Sequence, residues 1–180
     1  MTTHLEQYVR LAEPFGRIVA QTDDWTAPSP CEGWCAADVV EHVISTERSF
    51  LGAHADVGAA PDVSADPAAA WRAHDDRVRE LLADESVAAA EFDGHFGPAS
   101  VGDTPVRFYG FDLLAHRWDI ARSQGRDERF TGHELAILEN AVEGFGDALY
   151  SEGICRRPVD VGDDADRQTR LLALLGRDGR

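Results

Sequence analysis

The sequence predicts an all-α fold, a four-helix bundle with a short C-terminal helix packed on it. Apolar residues recur at steps of three and four in five segments, which is the period of an amphipathic helix. The alternation of apolar and polar residues that marks a half-buried strand is weak along the 180 residues. Neither an internal repeat nor a domain linker is evident, so we expect one domain over residues 1–180.

The first helix is predicted to begin after Thr3, because Thr3 and Glu6 have the spacing of a capping box. We expect Pro14 to kink or divide this helix, since proline removes a backbone N–H and crowds the preceding turn. The helix should end by about Thr22. Residues 24–34 contain prolines and a glycine that exclude a helix, and their two tryptophans predict a loop packed on the body.

Two further helices follow this loop. An apolar stripe predicts the second helix over about residues 36–52. His42 lies at the edge of that stripe, beside small and hydroxyl-bearing side chains, where it lines a cavity or begins the solvated face. Asp66 and Pro67 predict the N-terminus of the third helix, and His74 is expected to be exposed among the charges of that helix.

The segment 86–103 is interrupted by glycines and a proline, and a short hairpin is possible there. His95 lies in it and could approach a site. A long helix, called here the anchor helix, is then predicted from Thr104 to near Gly125. It has apolar residues on two flanks, which predicts that it packs against neighbours in two directions.

The last third of the chain is also predicted to be helical. Thr131 and Glu134 have the spacing of a second capping box, and the apolar repeat that follows continues to Leu149. Residues 171–175 form a short apolar helix that Gly176 should end.

Asp112 and His116 are the most informative pair in the chain. They are four residues apart on the anchor helix, and the apolar residues that share their face predict that it points inward. Burying a carboxylate costs free energy unless a positive group compensates its charge. No arginine lies on this stripe between Val106 and Ile120. A metal ion bound by both side chains would compensate the negative charge of Asp112. The alternative is a buried hydrogen bond between Asp112 and His116 without a metal.

The composition excludes several classes of function. The formal net charge is −16, whereas nucleic acids and anionic membranes bind basic surfaces. All 17 basic residues are arginine, which excludes a Walker-type phosphate loop and a Schiff-base lysine. We therefore expect neither nucleic acid nor a membrane as a partner.

The cellular location is predicted from the lack of membrane-targeting features in the sequence and from the small number of cysteines. No apolar run has the length of a membrane span, and the N-terminus lacks the features of a signal peptide. Cys31, Cys35 and Cys155 are too few for a disulfide framework and fit a reducing compartment. We expect a cytoplasmic protein that is a monomer or a homodimer.

Three stretches of the chain together resemble a known family. They are residues 28–34 (PSPCEGW) with 38–43 (DVVEHV), residues 112–122 (DLLAHRWDIAR) with Gly125, and residues 170–177 (RLLALLGR). Their order and spacing resemble the actinobacterial proteins related to the N-terminal domain of mycothiol-dependent maleylpyruvate isomerase. That family is part of the DinB-like superfamily of metal-binding four-helix bundles, so the resemblance implies a DinB-like bundle.

The resemblance implies that His42, Asp112 and His116 form a metal triad. The family carries one metal-ligating histidine on its second helix, and an acidic residue and a histidine four apart on a later helix. The isomerase has glutamate where this chain has Asp112. Because the aspartate side chain is one methylene shorter, its carboxylate lies closer to the helix backbone. The isomerase also has a C-terminal domain that 180 residues are too short to hold in full, so the metal site is better supported than the isomerase reaction.

Three protein ligands would leave coordination positions open for water, a thiol or a substrate. Zinc is the first choice and nickel the second. Two histidines and a carboxylate also describe the facial triad of iron(II) oxygenases, although a helical bundle is an unusual setting for it. The resemblance adds a low-molecular-weight thiol, mycothiol, as a partner.

The sequence allows more than one role for several other polar residues. Asp119 is a candidate acceptor for an imidazole N–H, or else it forms a salt bridge with Arg122. Cys31 is a structural residue or lies near the site, and Cys31 with Cys35 makes only a weak zinc motif. The cysteines lack a basic neighbour on the same helical face, although Arg156 directly follows Cys155. This favours an external thiol as the nucleophile. Arg107 or Arg122 could orient an anionic substrate.

Three functions are consistent with these observations. The first is a metal-dependent enzyme that activates a thiol for transfer to, or isomerisation of, a small electrophile. The second is a metal-containing bundle that binds a small ligand without chemistry. The third is a bundle without a metal that serves as an interaction module.

Overall fold

The computed structural model describes residues 3–94, 97–151 and 153–180. His95, for which the sequence allows a place near a site, lies outside these residues. Within them the fold is mostly α-helical with one small hairpin, as predicted. No helix among the described residues combines the length and the apolarity that crossing a membrane requires.

The regular elements of the described residues are seven α-helices, one hairpin and one 3₁₀ helix. In chain order they are α1 (His4–Ala20), α2 (Ala36–Gly52), α3 (Pro67–Ala83), α4 (Glu85–Ala88), β1 (Glu91–Gly94), β2 (Gly97–Ser100), α5 (Asp103–Ser123), α6 (Gly132–Phe145), the 3₁₀ helix Gly146–Tyr150 and α7 (Arg167–Leu174). The strands pair antiparallel with Glu91 opposite Ser100, which confirms the short hairpin before the anchor helix α5.

The bundle consists of the four long helices α1, α2, α3 and α5. Helices α1 and α2 each contact both α3 and α5, so the four helices close a ring around a shared apolar core. Helix α6 packs on α5, and α7 packs on α6. Because α5 has neighbours on several sides, every residue from Gly110 to Ala121 except Asp112 is buried. This confirms that α5 packs in more than one direction.

The predicted caps are present, whereas the predicted extent of one helix is wrong and one of the two expected effects of Pro14 is absent. Both capping boxes form, one at Thr3 and one at Thr131. Pro14 lies inside α1, which is one continuous helix and is not divided. The helix that was expected to reach Leu149 ends earlier, because Gly146 has a φ of 52° and a 3₁₀ helix follows.

His74 is buried, which corrects the prediction that it is exposed. Its side chain is 1% exposed, and its Nε2 lies 2.8 Å from Oε2 of the fully buried Glu47 on α2. His74 follows Trp71 by three residues and precedes Val78 by four, so it belongs to the apolar stripe of α3 rather than to the charged face. Burial raises the pKa of Glu47, although the His74 ring lowers it.

We predict that His74→Ala lowers the free energy of unfolding by about 3–5 kcal/mol, because it leaves the Glu47 carboxyl buried without its partner. Urea denaturation followed by circular dichroism measures the change. Arg72→Ala, at an exposed position of the same helix, is the control and should stay within about 0.5 kcal/mol of the parent. A His74→Ala variant as stable as this control would contradict the prediction.

Candidate metal centre

His42, Asp112 and His116 lie together where α2 and α5 pack against each other. His42 Nε2 is 3.2 Å from Asp112 Oδ2, and His116 Nε2 is 3.4 Å from Asp112 Oδ1. One potential ligand atom from each residue lies within 4.8 Å of the others. The spacing of four residues on α5 stacks Asp112 and His116, and the packing of α2 on α5 adds His42.

Asp119 orients the His116 ring from the opposite side. Its Oδ2 lies 2.9 Å from His116 Nδ1, and its side chain is fully buried. A proton on Nδ1 shared with this carboxylate would leave Nε2, on the side of Asp112, available to a metal ion. A carboxylate behind a histidine is the usual outer partner of a metal-ligating imidazole. Asp119 is therefore the imidazole acceptor that the sequence suggests.

The cation that pairs with Asp119 is Arg177, not Arg122. Arg177 donates from Nε to Asp119 Oδ1 at 2.8 Å and from Nη2 to Oδ2 at 2.6 Å, a two-point contact in a buried setting. The guanidinium of Arg122 donates instead to the backbone carbonyl of Arg180. The salt bridge between Asp119 and Arg122 is thus a wrong prediction.

A helix-ending turn directs Arg177 into the bundle. The N–H of Gly176 donates to the carbonyl of Ala173, and the N–H of Arg177 donates to that of Leu172, which is the Schellman pattern. Gly176 has a φ of 76°, and a Cβ there would lie 2.6 Å from Arg156 Cβ and 2.9 Å from its carbonyl oxygen. Only glycine allows both the backbone conformation and the close chain crossing, so Gly176 places Arg177 at Asp119.

The charges in this cluster stabilise one another. Burial alone would raise the pKa of Asp112, but His116 and His42 outweigh burial and hold it well below its usual range. Burial would lower the pKa of His116, yet Asp112 and Asp119 raise it. Burial also opposes the low pKa of Asp119, which Arg177 and His116 maintain. The carboxylates on its two sides thus favour a positive charge on the His116 ring.

The loop before α2 closes the site from outside. Its backbone is fixed by a bridge between Pro28 and Cys35, and this places the Trp34 ring 4.9 Å from the His42 ring and 6.1 Å from the His116 ring. The packing of this loop on the body confirms the prediction for residues 24–34. Trp34 therefore covers both imidazoles.

Cys31 in the same loop is close to the buried charges. Its Sγ is 3.3 Å from Asp119 Oδ2 and 3.5 Å from Arg177 Nη2. The sequence shows no basic neighbour of Cys31 on a shared helical face, but Arg177 reaches Cys31 from a distant part of the chain. Cys31, His116 and Asp119 form a second group of potential ligands, but Arg177 already occupies both oxygens of Asp119, so a cation there would meet a guanidinium.

A cavity of about 800 Å³ opens onto the triad. Aromatic side chains make up much of its wall, and Arg156 and Arg177 are its lining arginines among the described residues. Neither Arg107 nor Arg122 lines it, so the structure does not place them where they could orient a substrate in this cavity. A cavity of this size holds a small molecule.

The donor set of the triad fits a divalent metal ion. Two imidazole nitrogens and a carboxylate oxygen are ordinary ligands of zinc, and here such atoms lie within 4.8 Å of one another in residues that line an accessible cavity. Asp119 supplies the outer hydrogen bond that such a histidine requires. The role of the three residues as ligands remains a prediction.

Sequence reasoning missed Arg177 and Trp34 as parts of the site. One local signal for Arg177 is present, since an arginine directly after a helix-ending glycine is turned back toward the helix. The contact with Asp119 spans 58 residues, however, and helical periodicity carries no information about it. Trp34 was recognised as packed, but its place over the imidazoles depends on the path of the loop.

Comparison with known proteins gives the chain a family context. Residues 10–121 match the family model described as the mycothiol maleylpyruvate isomerase N-terminal domain. Two uncharacterized proteins of Mycobacterium tuberculosis, from strains CDC 1551 / Oshkosh and H37Rv, are each 27% identical to the chain over 188 residues. Each alignment covers 96% of this chain and 97% of the relative. No solved structure matches at a significant level.

We predict that Arg177→Met lowers the free energy of unfolding by about 3–5 kcal/mol, because it leaves the Asp119 carboxylate buried and uncompensated. Adding Asp119→Asn to this variant should recover at least half of the loss, since the unpaired charge is then gone. Chemical denaturation of the two single variants and the double variant gives the coupling free energy.

The matched control for this cycle is Arg170→Met, at an exposed position of α7, with an expected change of no more than about 0.5 kcal/mol. Additive effects of the Arg177 and Asp119 substitutions would show that the two-point contact does not stabilise the fold.

Proposed function

This chain belongs to the family of the mycothiol maleylpyruvate isomerase N-terminal domain, and we propose that it is a metal-dependent enzyme that joins a thiol to a small electrophile or isomerises that electrophile. The observation that carries the proposal is the triad: two Nε2 atoms approach opposite oxygens of the Asp112 carboxylate, and all three residues line the cavity. His42, Asp112 and His116 would hold the ion. The family name supports mycothiol as the thiol.

Zinc is the proposed ion. Three protein donors with the remaining positions open describe a catalytic zinc site rather than a closed structural one. Nickel accepts the same donors, and two histidines with one carboxylate also suit iron(II). When bound, the ion would supply Lewis acidity, which lowers the pKa of a coordinated thiol enough to form the thiolate near neutral pH.

The residues of the chain prepare the site for this chemistry. Asp119 keeps the His116 proton on Nδ1, and Arg177 keeps Asp119 ionised. The Tyr109 hydroxyl donates to the backbone carbonyl of Thr46 at 2.9 Å, so it joins α5 to α2 beside the triad. The ring of Trp34 shields the imidazoles from water on one side. The reacting groups would therefore meet in a partly desolvated place, where charges act more strongly.

The protein's own cysteines fit the role of nucleophile less well than an external thiol. Cys31 is held between Asp119 and Arg177. Burial raises the pKa of Cys155, although Arg177 lowers it, and a thiol with a raised pKa is less often ionised. An external thiol can reach the triad through the cavity.

We predict that His42→Ala and Asp112→Ala each weaken metal binding by more than the roughly 10- to 100-fold loss typical of an outer-shell substitution. Elemental analysis of protein purified without a histidine tag measures the metal content, and circular dichroism checks that the helices persist. His133→Ala, at an exposed position of α6, should retain the metal content of the parent. Full metal occupancy in both triad variants would contradict the assignment.

We predict that the protein consumes thiol in the presence of an electrophile, and that His116→Ala or a chelator abolishes this activity. With an alkyl halide, one thiol and one halide compound yield one thioether, one halide ion and one proton, so thiol loss and halide release can be compared. Equal rates for the parent and His116→Ala, or activity that survives chelation, would exclude the enzyme. The proposal would then give way to a metal-containing bundle that only binds a ligand.

A further inference from the structure

We infer that the bundle core binds one water molecule between Tyr8, Glu47 and Asp75, which belong to three different helices. This internal site shares no residue with the triad and does not depend on the proposed function. The inference follows from buried polar atoms that have no partner, from the packing of α1 and α2 on α3, and from the charges that are already paired there.

Several buried polar atoms in this part of the core lack a hydrogen-bond partner among the described residues. They are Tyr8 Oη, Glu47 Oε1, His74 Nδ1 and Asp75 Oδ1. Tyr8 and Glu47 are fully buried, so bulk water does not reach them. An unpaired buried polar atom costs free energy, and such atoms are rare in folded proteins. Their concentration in one region therefore indicates a polar guest that completes their hydrogen bonds.

The packing of α1 on α3 brings the Tyr8 hydroxyl to Asp75. Phe15 of α1 contacts Trp71 of α3, with the ring centroids 4.5 Å apart. Tyr8 is seven residues before Phe15 and Asp75 is four residues after Trp71, so each shares a helical face with one of these rings. Burial raises the pKa of Tyr8, and the charges of Glu47 and Asp75 raise it further. The hydroxyl therefore keeps its proton and is a donor.

Glu47 reaches the same place from α2. Its Oε2 lies 2.8 Å from His74 Nε2, and this contact leaves Oε1 without a partner. Burial raises the pKa of Glu47, the His74 ring lowers it, and the charge of Asp75 raises it again. Since His74 and Asp75 are consecutive on α3, the carboxyl groups of Glu47 and Asp75 are neighbours. Tyr8 is thus close to both.

The guest is neutral because the carboxyl groups already have basic partners. Arg79 donates from Nε to Asp75 Oδ2 at 3.0 Å, and His74 faces Glu47. In the described part of the chain, neither Glu47 nor Asp75 belongs to a group of ligand atoms close enough to share a metal ion. A water molecule can instead donate to both carboxyl oxygens and accept from Tyr8. These are the three hydrogen bonds typical of a buried water.

The fit of a water molecule holds for either protonation state of Glu47. As a carboxylate, Glu47 needs a donor at Oε1. As a carboxylic acid with its proton on Oε1, it needs an acceptor. Water supplies either one, whereas a sodium or potassium ion only receives lone pairs and would face the protons of Tyr8 and of the acid.

A high-resolution crystal structure of the full chain tests the site directly. We expect one density peak within about 3.2 Å of Tyr8 Oη, Glu47 Oε1 and Asp75 Oδ1. A crystal soaked in thallium(I), which replaces potassium, should show no anomalous peak at this position. An anomalous peak there would identify a cation site, and a direct hydrogen bond from Tyr8 to a carboxyl group without a density peak would exclude the guest. Either result would overturn the inference.

Tyr8→Phe tests the site in solution, because its effect on stability has a different sign when the hydroxyl is unpaired. If Tyr8 donates to the water, we expect its loss to lower the folding equilibrium constant by about fivefold. Removing an unpaired hydroxyl would leave this constant unchanged or raise it, which would contradict the inference. Urea denaturation followed by circular dichroism measures the change. Tyr150→Phe, at a half-buried position outside the cluster, is the matched control and should stay within about twofold of the parent.

The outcomes are independent of those for the proposed function. Tyr8→Phe should keep the metal content of the parent, since Tyr8 is not a residue of the triad. A protein with the density peak but without metal would uphold the water site and overturn the enzyme. A protein with metal and thiol consumption but without the density peak would uphold the enzyme and overturn the water site.

Discussion

The contact between Arg177 and Asp119 is the interaction on which the site depends. Both side chains are buried. A buried charge is tolerated only when an oppositely charged partner and further hydrogen bonds compensate for its lost hydration. Both oxygens of Asp119 accept from the guanidinium of Arg177, and one of them, Oδ2, also lies against Nδ1 of the His116 ring. His116 in turn faces Asp112, which His42 approaches from α2. A continuous run of polar contacts thus connects the C-terminal segment, α5 and α2.

Helix α5 combines two tasks that are usually separated. It is a central element of the bundle, buried along nearly its whole second half, and it also carries Asp112, His116 and aromatic side chains that line the cavity. Sites built on packed helices hold their geometry more exactly than sites on loops. As a consequence, polar side chains of α5 are buried, and two of them are paired with residues outside the helix: Asp119 with Arg177, and Arg117 with Glu134 and Glu128.

Two errors of sequence reasoning have a common cause, which is that the neighbours of a residue were sought only within its own helix. His74 lies among charged residues in the chain, yet its position relative to Trp71 and Val78 places it inside, where Glu47 of α2 meets it. Asp119 was offered a partner three residues away on the same helix, whereas the actual partner comes from beyond α7. Local spacing shows which side chains share a face, but it cannot show which distant segment that face meets.

The sequence by itself determined the helices, their caps, the short hairpin and the stacking of Asp112 above His116, since these depend on residues within about one or two turns of each other. The family resemblance identified His42 as well. Only the tertiary structure decided that His42 reaches the Asp112 carboxylate and that Trp34 covers both imidazoles. It also decided that Arg177 donates to both oxygens of Asp119. These contacts join segments that are tens of residues apart, and they exist because burying the apolar faces of the helices brings those segments together.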